Sequence, residues 1–559
     1  MRPPSHLPGL FAIALLMVTH ALGAASPKPN VVFIVIDNVD FAHMGKCYGG
    51  DSLTPQIDRI AERGVKFTRA YATTPLCVPS RYTCLSGRYA TRSQNSAGGE
   101  TEDGEGGWSI QLEKDLPNLP NVMHAAGYAT GFVGKYHLEK EKYPRYSGKE
   151  SSVFSAETDA WLKKRNEWLS DRIRQRGFDF TFNTADFRSS QFRGVDFEGG
   201  NHNMEADVQG ALDFIGQNQG KPFFLYLAPR LLHLPINPKL LLEDYSKMGR
   251  VTEGGLLPEA PKVPMPSRTE IHAAAKAAGG TTAQQFGMHW LDCGIGAVVT
   301  RLEELKLLDN TLLIVFSDNN QRGKETLYEG GARVPLLAMW PGRLKPGSVC
   351  DRIVANTDFA PTIFDACGVQ PPAGMVVDGR SFLPVVENPS APWREALLLE
   401  NGHTRAVVTE KWKYVALRYP PDVQAHIAEV ERTGVYPRIS PKAETFFERF
   451  KKTLTPEQWK FARNSWRWHT PGNNYMKSID DFPFQFDADQ LFEVSQESLP
   501  QDSANVAAKP ENGPVVADMQ AKLKQEMTPL GQSFGEFGVP YPSAPSNPPE
   551  ERRRRKKKP

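Results

Sequence analysis

Cysteine is scarce in this sequence, with six residues among 559. So low a content excludes a small scaffold held together by disulfides, and no CxxC or clustered Cys/His pattern indicates a zinc site. An exported chain can still pair some of its cysteines, but their spacing does not determine which. The six are Cys47, Cys77, Cys84, Cys293, Cys350 and Cys367.

A charge excess and long apolar runs are also missing. The net charge is +2, and residues 552–558 supply seven of the positive charges. The rest of the chain carries 59 basic residues (66 less 7) against 64 acidic ones, a balance of −5, which argues against a nucleic-acid-binding surface. With 46 glycines and 45 prolines the chain is no long coiled coil, and this content favours a loop-rich α/β protein.

The first 24 residues have the pattern of a secretory signal peptide. Leu10 to Val18 forms a short apolar run, and Ala21-Leu22-Gly23 places small residues before a cleavage point. The alternative is a membrane anchor, for which this run is short. No later run of about 18 apolar residues occurs, so we predict an exported protein, periplasmic or extracellular, without a stable membrane anchor.

Apolar segments alternate with helical ones along the first two thirds of the chain, which predicts a doubly wound α/β fold. The predicted strands are 31–36, 129–133, 223–227 and 312–316, and the predicted helices are 54–63, 204–218 and 284–307. From Arg394 onward, short alternating strands at 405–408 and 413–416 predict a smaller α+β subdomain. We therefore divide the chain into a signal peptide (1–24), a catalytic α/β domain (25–390), a C-terminal α+β subdomain (391–538) and a disordered basic tail (539–559).

Polar groups follow each of the four predicted strands. Asp37-Asn38, Lys135 to His137, His233 and Asp318-Asn319 all come just after a strand end, where open parallel sheets place their ligand sites. The carboxylate and amide oxygens of the first and last pairs suit a hard cation such as Ca²⁺. The alternative is that these residues only cap the helices that follow the strands.

Residues 74–88 form the most informative segment. A cysteine at the start of a predicted helix, as at Cys77, would lie at the positive end of the helix dipole, which favours negative charge on the sulfur. Arg81, one turn later, would direct an anion-binding guanidinium to the same place. The alternative is that Cys77 is an ordinary buried cysteine.

These motifs resemble a known family. Cys77-Val78-Pro79-Ser80-Arg81, followed by Leu85-Ser86-Gly87-Arg88, is similar to the signature of the type I sulfatases of the alkaline phosphatase superfamily, in which a maturase converts this cysteine to Cα-formylglycine (3-oxoalanine). Further matches follow in the family's order. The resemblance extends from about Asn30 to Pro384, and a weaker similarity occurs at 490–493. These matches are Asp37-Asn38, Gly134-Lys135-Tyr136-His137-Leu138, Pro222 through Pro235, Ser317-Asp318-Asn319 and Gly323 through Pro335.

The resemblance implies a fold and a set of roles. The fold would be a large, doubly wound, mixed sheet like that of alkaline phosphatase. Cys77 would become formylglycine, whose hydrate is the nucleophile, and Arg81 would stabilise that hydrate. One Ca²⁺ would be bound by Asp37, Asn38, Asp318, Asn319 and the modified Cys77, with Asp318 accepting the nucleophile's proton. The sulfate pocket would be lined by Lys135, His137, His233 and Lys324, with His137 as a base.

Two positions depart from the family pattern. Asn38 stands where the family commonly has a second aspartate, so the metal site keeps an oxygen donor but has one negative charge fewer. Tyr136 replaces the tryptophan of the family's Gly-Lys-Trp-His motif, which is a milder change.

The expected function is that of a secreted sulfatase acting on a sulfated sugar or polysaccharide, with a formylglycine-generating maturase as a partner. The alternatives are a formylglycine-dependent phosphodiester or phosphonate monoester hydrolase, and an inactive relative that only binds sulfated glycans. Specificity would lie in residues 139–201 and 418–486. The second segment carries Trp459, Trp466 and Trp468, which either stack on sugars or form a small aromatic core. His202 and His403 are further candidates for substrate contact.

Overall fold

The computed structural model describes much of the chain between residues 28 and 535. The intervening residues outside the description are 95–96, 101–105, 140, 142, 187–194, 196–201, 234–236, 420, 436–481, 483, 486, 495–503 and 533. The predicted signal peptide, the basic tail and the tryptophans at 459, 466 and 468 all lie outside the described residues, so those expectations stay predictions.

The strands are numbered in chain order. They are β1 (Asn30–Ile36), β2 (Val65–Phe67), β3 (Ala70–Tyr71), β4 (Ala97–Glu100), β5 (Gly106–Ser109), β6 (Ala129–Lys135), β7 (Phe180–Ala185), β8 (Phe223–Ala228), β9 (Val251–Thr252), β10 (Gly255–Leu256), β11 (Thr311–Ser317), β12 (Leu336–Met339), β13 (Ser348–Cys350), β14 (Val354–Ala355), β15 (Leu397–Asn401), β16 (Thr404–Val408), β17 (Trp412–Leu417) and β18 (Asp489–Glu493).

The α-helices are numbered in the same way. They are α1 (Pro55–Arg63), α2 (Cys77–Ser86), α3 (Leu119–Ala125), α4 (Ala156–Arg174), α5 (Met204–Asn218), α6 (Tyr245–Met248), α7 (Arg268–Ala277), α8 (Ala283–Glu304), α9 (Glu329–Ala332), α10 (Phe359–Cys367), α11 (Leu383–Glu387), α12 (Pro421–Thr433) and α13 (Gly513–Met527).

Eight strands form the main sheet, in the order β13-β2-β12-β11-β1-β8-β6-β7. The four strands predicted from apolar runs are β1, β6, β8 and β11. They are neighbours and parallel, so their carboxyl ends share one edge of the sheet. Strand β12 runs antiparallel to both of its neighbours, which makes the sheet mixed. This arrangement confirms the predicted doubly wound α/β fold.

Both faces of the sheet are covered, which explains why the central strands are apolar without alternation. Along β1, Val31, Phe33 and Val35 pack into a core with α2, α3 and α10. The alternate residues Val32 and Ile34, with Ile36, pack into a second core with α1, α5 and α8. The sheet therefore stands between two helical layers, and its ligand edge is fixed from both sides.

A smaller antiparallel sheet follows, in the order β15-β16-β17-β18. One of its faces packs on α13 through residues such as Leu398, Val407 and Leu523. The other face packs on the larger α/β part of the chain, where Leu399 and Phe492 share a core with Tyr328. The predicted smaller C-terminal subdomain is thus present, whereas the predicted domain boundaries stay predictions.

The state of the cysteines and the apolar character of the helices can also be read from the structure. All six cysteines are free thiols, and four of them, Cys77, Cys84, Cys350 and Cys367, are buried. In the part of the chain that the structure describes, none of the helices combines the length and the apolar character needed to cross a bilayer.

Phe33 offers a test of the two-sided core. Its ring contacts Tyr226 and Phe359 edge-on, with centroid distances of 5.4 and 5.0 Å. Phe33→Ala leaves a cavity under the central strand, and we expect it to lower the free energy of unfolding by about 3–5 kcal/mol, measured by chemical denaturation. Val349→Ala, at a side chain that is 54% exposed, should stay within about 0.5 kcal/mol of the wild type. Similar losses in the two variants would contradict this account of the core.

Candidate active site

Cys77 is the first residue of α2, as the sequence predicts. Every residue of this helix is buried, and Leu76 at its N-cap provides no side-chain cap. The sulfur therefore lies at the positive end of a helix dipole whose first backbone N–H groups have no capping side chain. Such a position stabilises negative charge on an attacking group or on a bound anion.

Polar groups from three other segments surround the Cys77 sulfur. Lys324 Nζ lies 3.1 Å from Sγ, and Asn319 Nδ2 lies 3.4 Å away. On the other side, the thiol faces Asp37 Oδ1 at 3.6 Å and Asn38 Oδ1 at 3.8 Å. The sheet edge thus brings residues separated by more than 200 positions in the chain to one sulfur.

The oxygen donors come from two adjacent strands. Asp37 and Asn38 follow β1, Asp318 and Asn319 follow β11, and the two strands pair in register up to their last residues. Single ligand atoms of Asp37, Cys77 and Asp318 lie within 4.8 Å of one another. Asn319 Oδ1 is buried without a hydrogen-bond partner. An unsatisfied buried oxygen beside two carboxylates fits a hard cation, and these groups could hold one.

Each carboxylate has its own cation. Lys135 Nζ donates to Asp37 Oδ2 at 2.7 Å, and Arg81 Nε donates to Asp318 Oδ2 at 2.9 Å. A terminal nitrogen of Arg81 also lies 2.8 Å from the same oxygen, within ion-pair distance. All four side chains are fully buried. The sequence predicts that Arg81 directs its guanidinium at an anion, and in this structure that guanidinium is bound to Asp318.

The two carboxyl groups have opposite pKa shifts. Burial alone would raise the pKa of Asp37, but nearby Lys135, His233 and Arg81 bring it well below its usual value. The pKa of Asp318 is raised by burial and by the adjacent charge of Asp37, against the opposing effect of Arg81. Two like charges at one site repel each other, so a bound cation would favour the ionised form of both.

Left-handed backbone conformations occur at the site. Asn38 has a φ of 58°, a region in which asparagine is among the residues that are favoured. Gly134, the second-last residue of β6, has a φ of 97°, and a Cβ there would lie 2.2 Å from the Ala228 carbonyl oxygen. Glycine is therefore required where β6 approaches the end of β8.

His233 lies in a turn that is hydrogen-bonded to the segment after β1. The Leu232 N–H donates to the Asp37 carbonyl, at 3.2 Å, and the His233 N–H donates to the Arg230 carbonyl, at 2.9 Å. Burial, and then the charge of Lys135, lowers the His233 pKa to about 3, so its ring is neutral at physiological pH. His202 Nε2 lies 2.9 Å from the His233 carbonyl oxygen, which makes His202 a support for this turn.

Three other residues that the sequence analysis singled out, His137, Tyr136 and His403, have surroundings unlike those of Cys77. His137 is half-buried, two residues beyond β6, with a φ of 59°. Tyr136 packs edge-on against Phe132, with a centroid distance of 5.5 Å, so it fills core space. His403 is buried beside Tyr419, with a centroid distance of 5.1 Å. The structure thus brings eight predicted residues together: Asp37, Asn38, Cys77, Arg81, Lys135, Asp318, Asn319 and Lys324.

Asp40 is a supporting residue that the sequence analysis missed. Its two carboxylate oxygens accept the backbone N–H groups of Gln321 and Arg322, at 2.5 and 3.3 Å. It thereby connects the segment after β1 to the loop that runs from Asn319 to Lys324. An aspartate three residues beyond Asp37 is a usable signal, since carboxylates after strands often bond backbone N–H groups.

Comparisons with known proteins fit this geometry. The model of the sulfatase family matches residues 29–369, and the C-terminal model of N-sulphoglucosamine sulphohydrolase matches residues 321–423. The first match spans more than half of the chain and includes each residue around Cys77. The chain therefore belongs to the sulfatase family, and it is a sulfuric ester hydrolase.

Two relatives and two solved structures illustrate the similarity. The chain is 27% identical to N-acetylgalactosamine-6-sulfatase of Sus scrofa over 413 residues, which are 66% of this chain and 69% of the relative. It is 24% identical to N-acetylgalactosamine-6-O-sulfatase of Bacteroides thetaiotaomicron over 512 residues, covering 75% and 89% of the two chains.

The solved structures share the fold. A Bacteroides thetaiotaomicron protein from a locus for the metabolism of glycosaminoglycans has a TM-score of 0.56 at 19% identity, covering 90% of this chain and all of its own. A phosphonate monoester hydrolase from Silicibacter pomeroyi has a TM-score of 0.51 at 18% identity, covering 90% and 96%. Fold alone thus does not separate sulfate from phosphonate chemistry.

The buried pair of Arg81 and Asp318 makes a prediction about stability. Arg81→Met leaves Asp318 as a buried carboxylate without its partner, and we expect a loss of about 3–5 kcal/mol in the free energy of unfolding. Arg81→Met with Asp318→Asn removes both charges and should recover part of that loss. Arg343→Met, at a half-exposed pair with Glu387, serves as the control and should cost at most about 1 kcal/mol. A double variant no more stable than Arg81→Met would refute the pairing argument.

Proposed function

We propose that this chain is an exported sulfatase that removes sulfate from sulfated sugars, with Cys77 converted to formylglycine and one Ca²⁺ bound at Asp37, Asn38, Asp318 and Asn319. The observation that carries the proposal is the surroundings of the Cys77 sulfur. A helix start, the Lys324 ammonium, the Asn319 amide and oxygens of Asp37, Asn38 and Asp318 lie around one buried sulfur. An ordinary structural cysteine has apolar neighbours instead.

The charges around Cys77 favour an anionic substrate. Three fixed cations, Arg81, Lys135 and Lys324, lie among two carboxylates, Asp37 and Asp318, so the protein alone provides an excess of one positive charge. Burial by itself would lower the Lys324 pKa, but Cys77 and the two carboxylates raise it above its usual value, so Lys324 keeps its charge. A sulfate ester brings a negative charge into this buried site, where electrostatic attraction is strong.

The proposed cofactors complete this set. When present, formylglycine supplies a hydrated aldehyde as the nucleophile, and Ca²⁺ neutralises charge on the sulfuryl oxygens. The chain's own residues do the rest. Lys324 and Lys135 orient the sulfuryl oxygens, and Asp318 takes a proton from the nucleophile. The neutral ring of His233 donates its N–H to the ester oxygen that leaves with the sugar, which departs as the alcohol, and His137 acts as the base that the family resemblance implies.

The substrate class rests on the relatives. The two named above act on sulfate at position 6 of an N-acetylgalactosamine unit according to their names, and the family resemblance alone already implies a sulfated sugar. Export rests on the apolar run from Leu10 to Val18 and the small residues after it. The maturase would be the partner that modifies Cys77.

The first test concerns Cys77. The chain is produced with a formylglycine-generating maturase, and the mass of the peptide with Cys77 is measured. We expect the mass of formylglycine, together with faster hydrolysis of an aryl sulfate than of an aryl phosphate diester or a phosphonate monoester. Cys77→Ala should reduce turnover to background, whereas Cys293→Ala, at a half-buried cysteine on α8, should keep full turnover.

Each contrary result has its own meaning. Full activity of Cys77→Ala would refute the nucleophile assignment. A preference for the phosphorus substrates would replace the sulfatase proposal with the phosphonate or phosphodiester alternative. Absence of turnover in a protein that carries formylglycine, combined with binding of sulfated oligosaccharides, would favour an inactive binding relative.

The second test concerns the cation. Prolonged chelation should abolish turnover, and added Ca²⁺ should restore it. Asp318→Ala removes a ligand and the proton acceptor, and should lower kcat by on the order of 100-fold or more. Asn38→Asp adds a negative charge to the site and should tighten binding of Ca²⁺ in a calorimetric titration.

Asp309 provides the control for this series. It is an exposed aspartate just before β11, so Asp309→Ala should change neither turnover nor Ca²⁺ binding. Turnover that survives chelation, or calcium binding that is unchanged in Asp318→Ala, would contradict the proposed metal site.

A further inference from the structure

Lys324 reaches Cys77 from a segment without regular secondary structure. The segment 323–328 lies between β11 and α9 and is a series of turns. Gly323 and Glu325, on either side of Lys324, both have left-handed backbone conformations, with φ of 74° and 73°. For a glutamate this conformation is unfavourable, and it persists only where the surroundings impose it.

One backbone hydrogen bond joins this segment to the residues just before α2. The Glu325 N–H donates to the Pro75 carbonyl at 2.9 Å, two residues before Cys77. This bond sets the distance between the Lys324 backbone and the start of the helix. It leaves the carbonyl groups of the segment to other partners.

Two of these carbonyl groups accept hydrogen bonds from the small C-terminal sheet. Asn401, the last residue of β15, donates from Nδ2 to the Glu325 carbonyl oxygen. Lys413, on β17, donates to the Leu327 carbonyl oxygen at 3.0 Å. Both side chains are fully buried, as befits groups whose polar atoms bond to backbone.

A buried ion pair strengthens the second contact. Lys413 pairs with Glu329, the first residue of α9, and both side chains are fully buried. The Tyr71 hydroxyl donates to Glu329 at 3.2 Å, and Arg333 lies 3.7 Å from the same carboxylate. Moving the Lys413 ammonium away from Glu329 would therefore take a buried cation from its carboxylate, which is unfavourable.

We propose that Asn401 and Lys413 are positioning residues that hold Lys324 against Cys77, so that the C-terminal sheet contributes to catalysis without touching the substrate. The proposal rests on the function proposed above, in which Lys324 acts on the sulfate group. A displacement of about 1 Å at a catalytic group can cost about 100-fold in rate. The alternative is that these contacts only join the two sheets and stabilise the fold.

Two sets of variants test the proposal in the mature enzyme. Asn401→Leu removes one contact, and Lys413→Met with Glu329→Gln removes the other together with both buried charges. For an aryl sulfate, we expect kcat to fall about 10- to 100-fold while KM stays within about twofold. Lys411→Met, at an exposed lysine in the turn just before β17, should retain the wild-type kcat.

Two further measurements separate positioning from stability. Hydrogen–deuterium exchange of the peptide containing 323–328 should become faster in both sets of variants, while the peptide of β1 stays protected as in the wild type. In a Lys324→Ala background, Asn401→Leu should lower kcat by less than about twofold more, because residues that act through one group are not additive. Asn401→Ser, a smaller change, replaces Asn401→Leu in both measurements if that variant does not fold.

The outcomes are distinct. Unchanged kcat in folded variants, or an equal further loss in the Lys324→Ala background, would overturn the positioning role. Faster exchange throughout the protein would show that the contacts serve only stability. Full turnover by Lys324→Ala itself would instead contradict the role of Lys324 in the proposed function.

Discussion

The repulsion between two buried carboxylates is the constraint on which the site depends. Asp37 and Asp318 end neighbouring parallel strands, and register alone brings their side chains together. Neither group can lie there without compensation, so each has a buried cation of its own, Lys135 for one and Arg81 for the other. Those cations come from β6 and α2, and because a buried charge needs a partner, the two ion pairs fix how the central strands and the helix that begins at Cys77 meet.

The same constraint shows what Asn38 does. A third aspartate at this point would increase the repulsion that Lys135 and Arg81 already offset. Asparagine keeps an oxygen, which here accepts a hydrogen bond from Lys324 at 2.9 Å, and it tolerates the left-handed backbone. The departure from the family pattern is thus compatible with the site, because Lys324 reaches both Asn38 and the Cys77 sulfur.

The sheet edge could be predicted from the sequence because strand ends are local signals. Apolar runs followed by Asp37 or Asp318 identify both the strands and the polar groups beyond them. Resemblance to the sulfatases then assigned roles that periodicity cannot give. The partner of Arg81 was not foreseen, because a guanidinium bonds equally well to a ligand or to a buried carboxylate, and only the fold places Asp318 within its reach.

Side-chain contacts between distant parts of the chain could not be predicted from the sequence for the same reason. Asn401 and Lys413 belong to strands with ordinary alternating patterns, and nothing near them in the sequence points to residues 325–329. His202 is a candidate for substrate contact on its sequence position, and only the structure shows that its ring also contacts the His233 backbone carbonyl. Hydrogen bonds from side chain to backbone have no spacing rule, so they appear only when the tertiary structure is known.

The distance along the chain between the parts of the site has a consequence for folding. The Asn38 N–H donates to the Asp318 side chain, 280 positions later. The contacts that the Lys324 segment makes with the small sheet require strands that begin only at residue 397. Contacts of such high contact order form slowly, because the long intervening loops must first close. During synthesis, more than half of the chain therefore emerges before the groups around Cys77 can meet, and a fragment that ends before β17 holds these groups but lacks the Lys413 contact with the Lys324 segment.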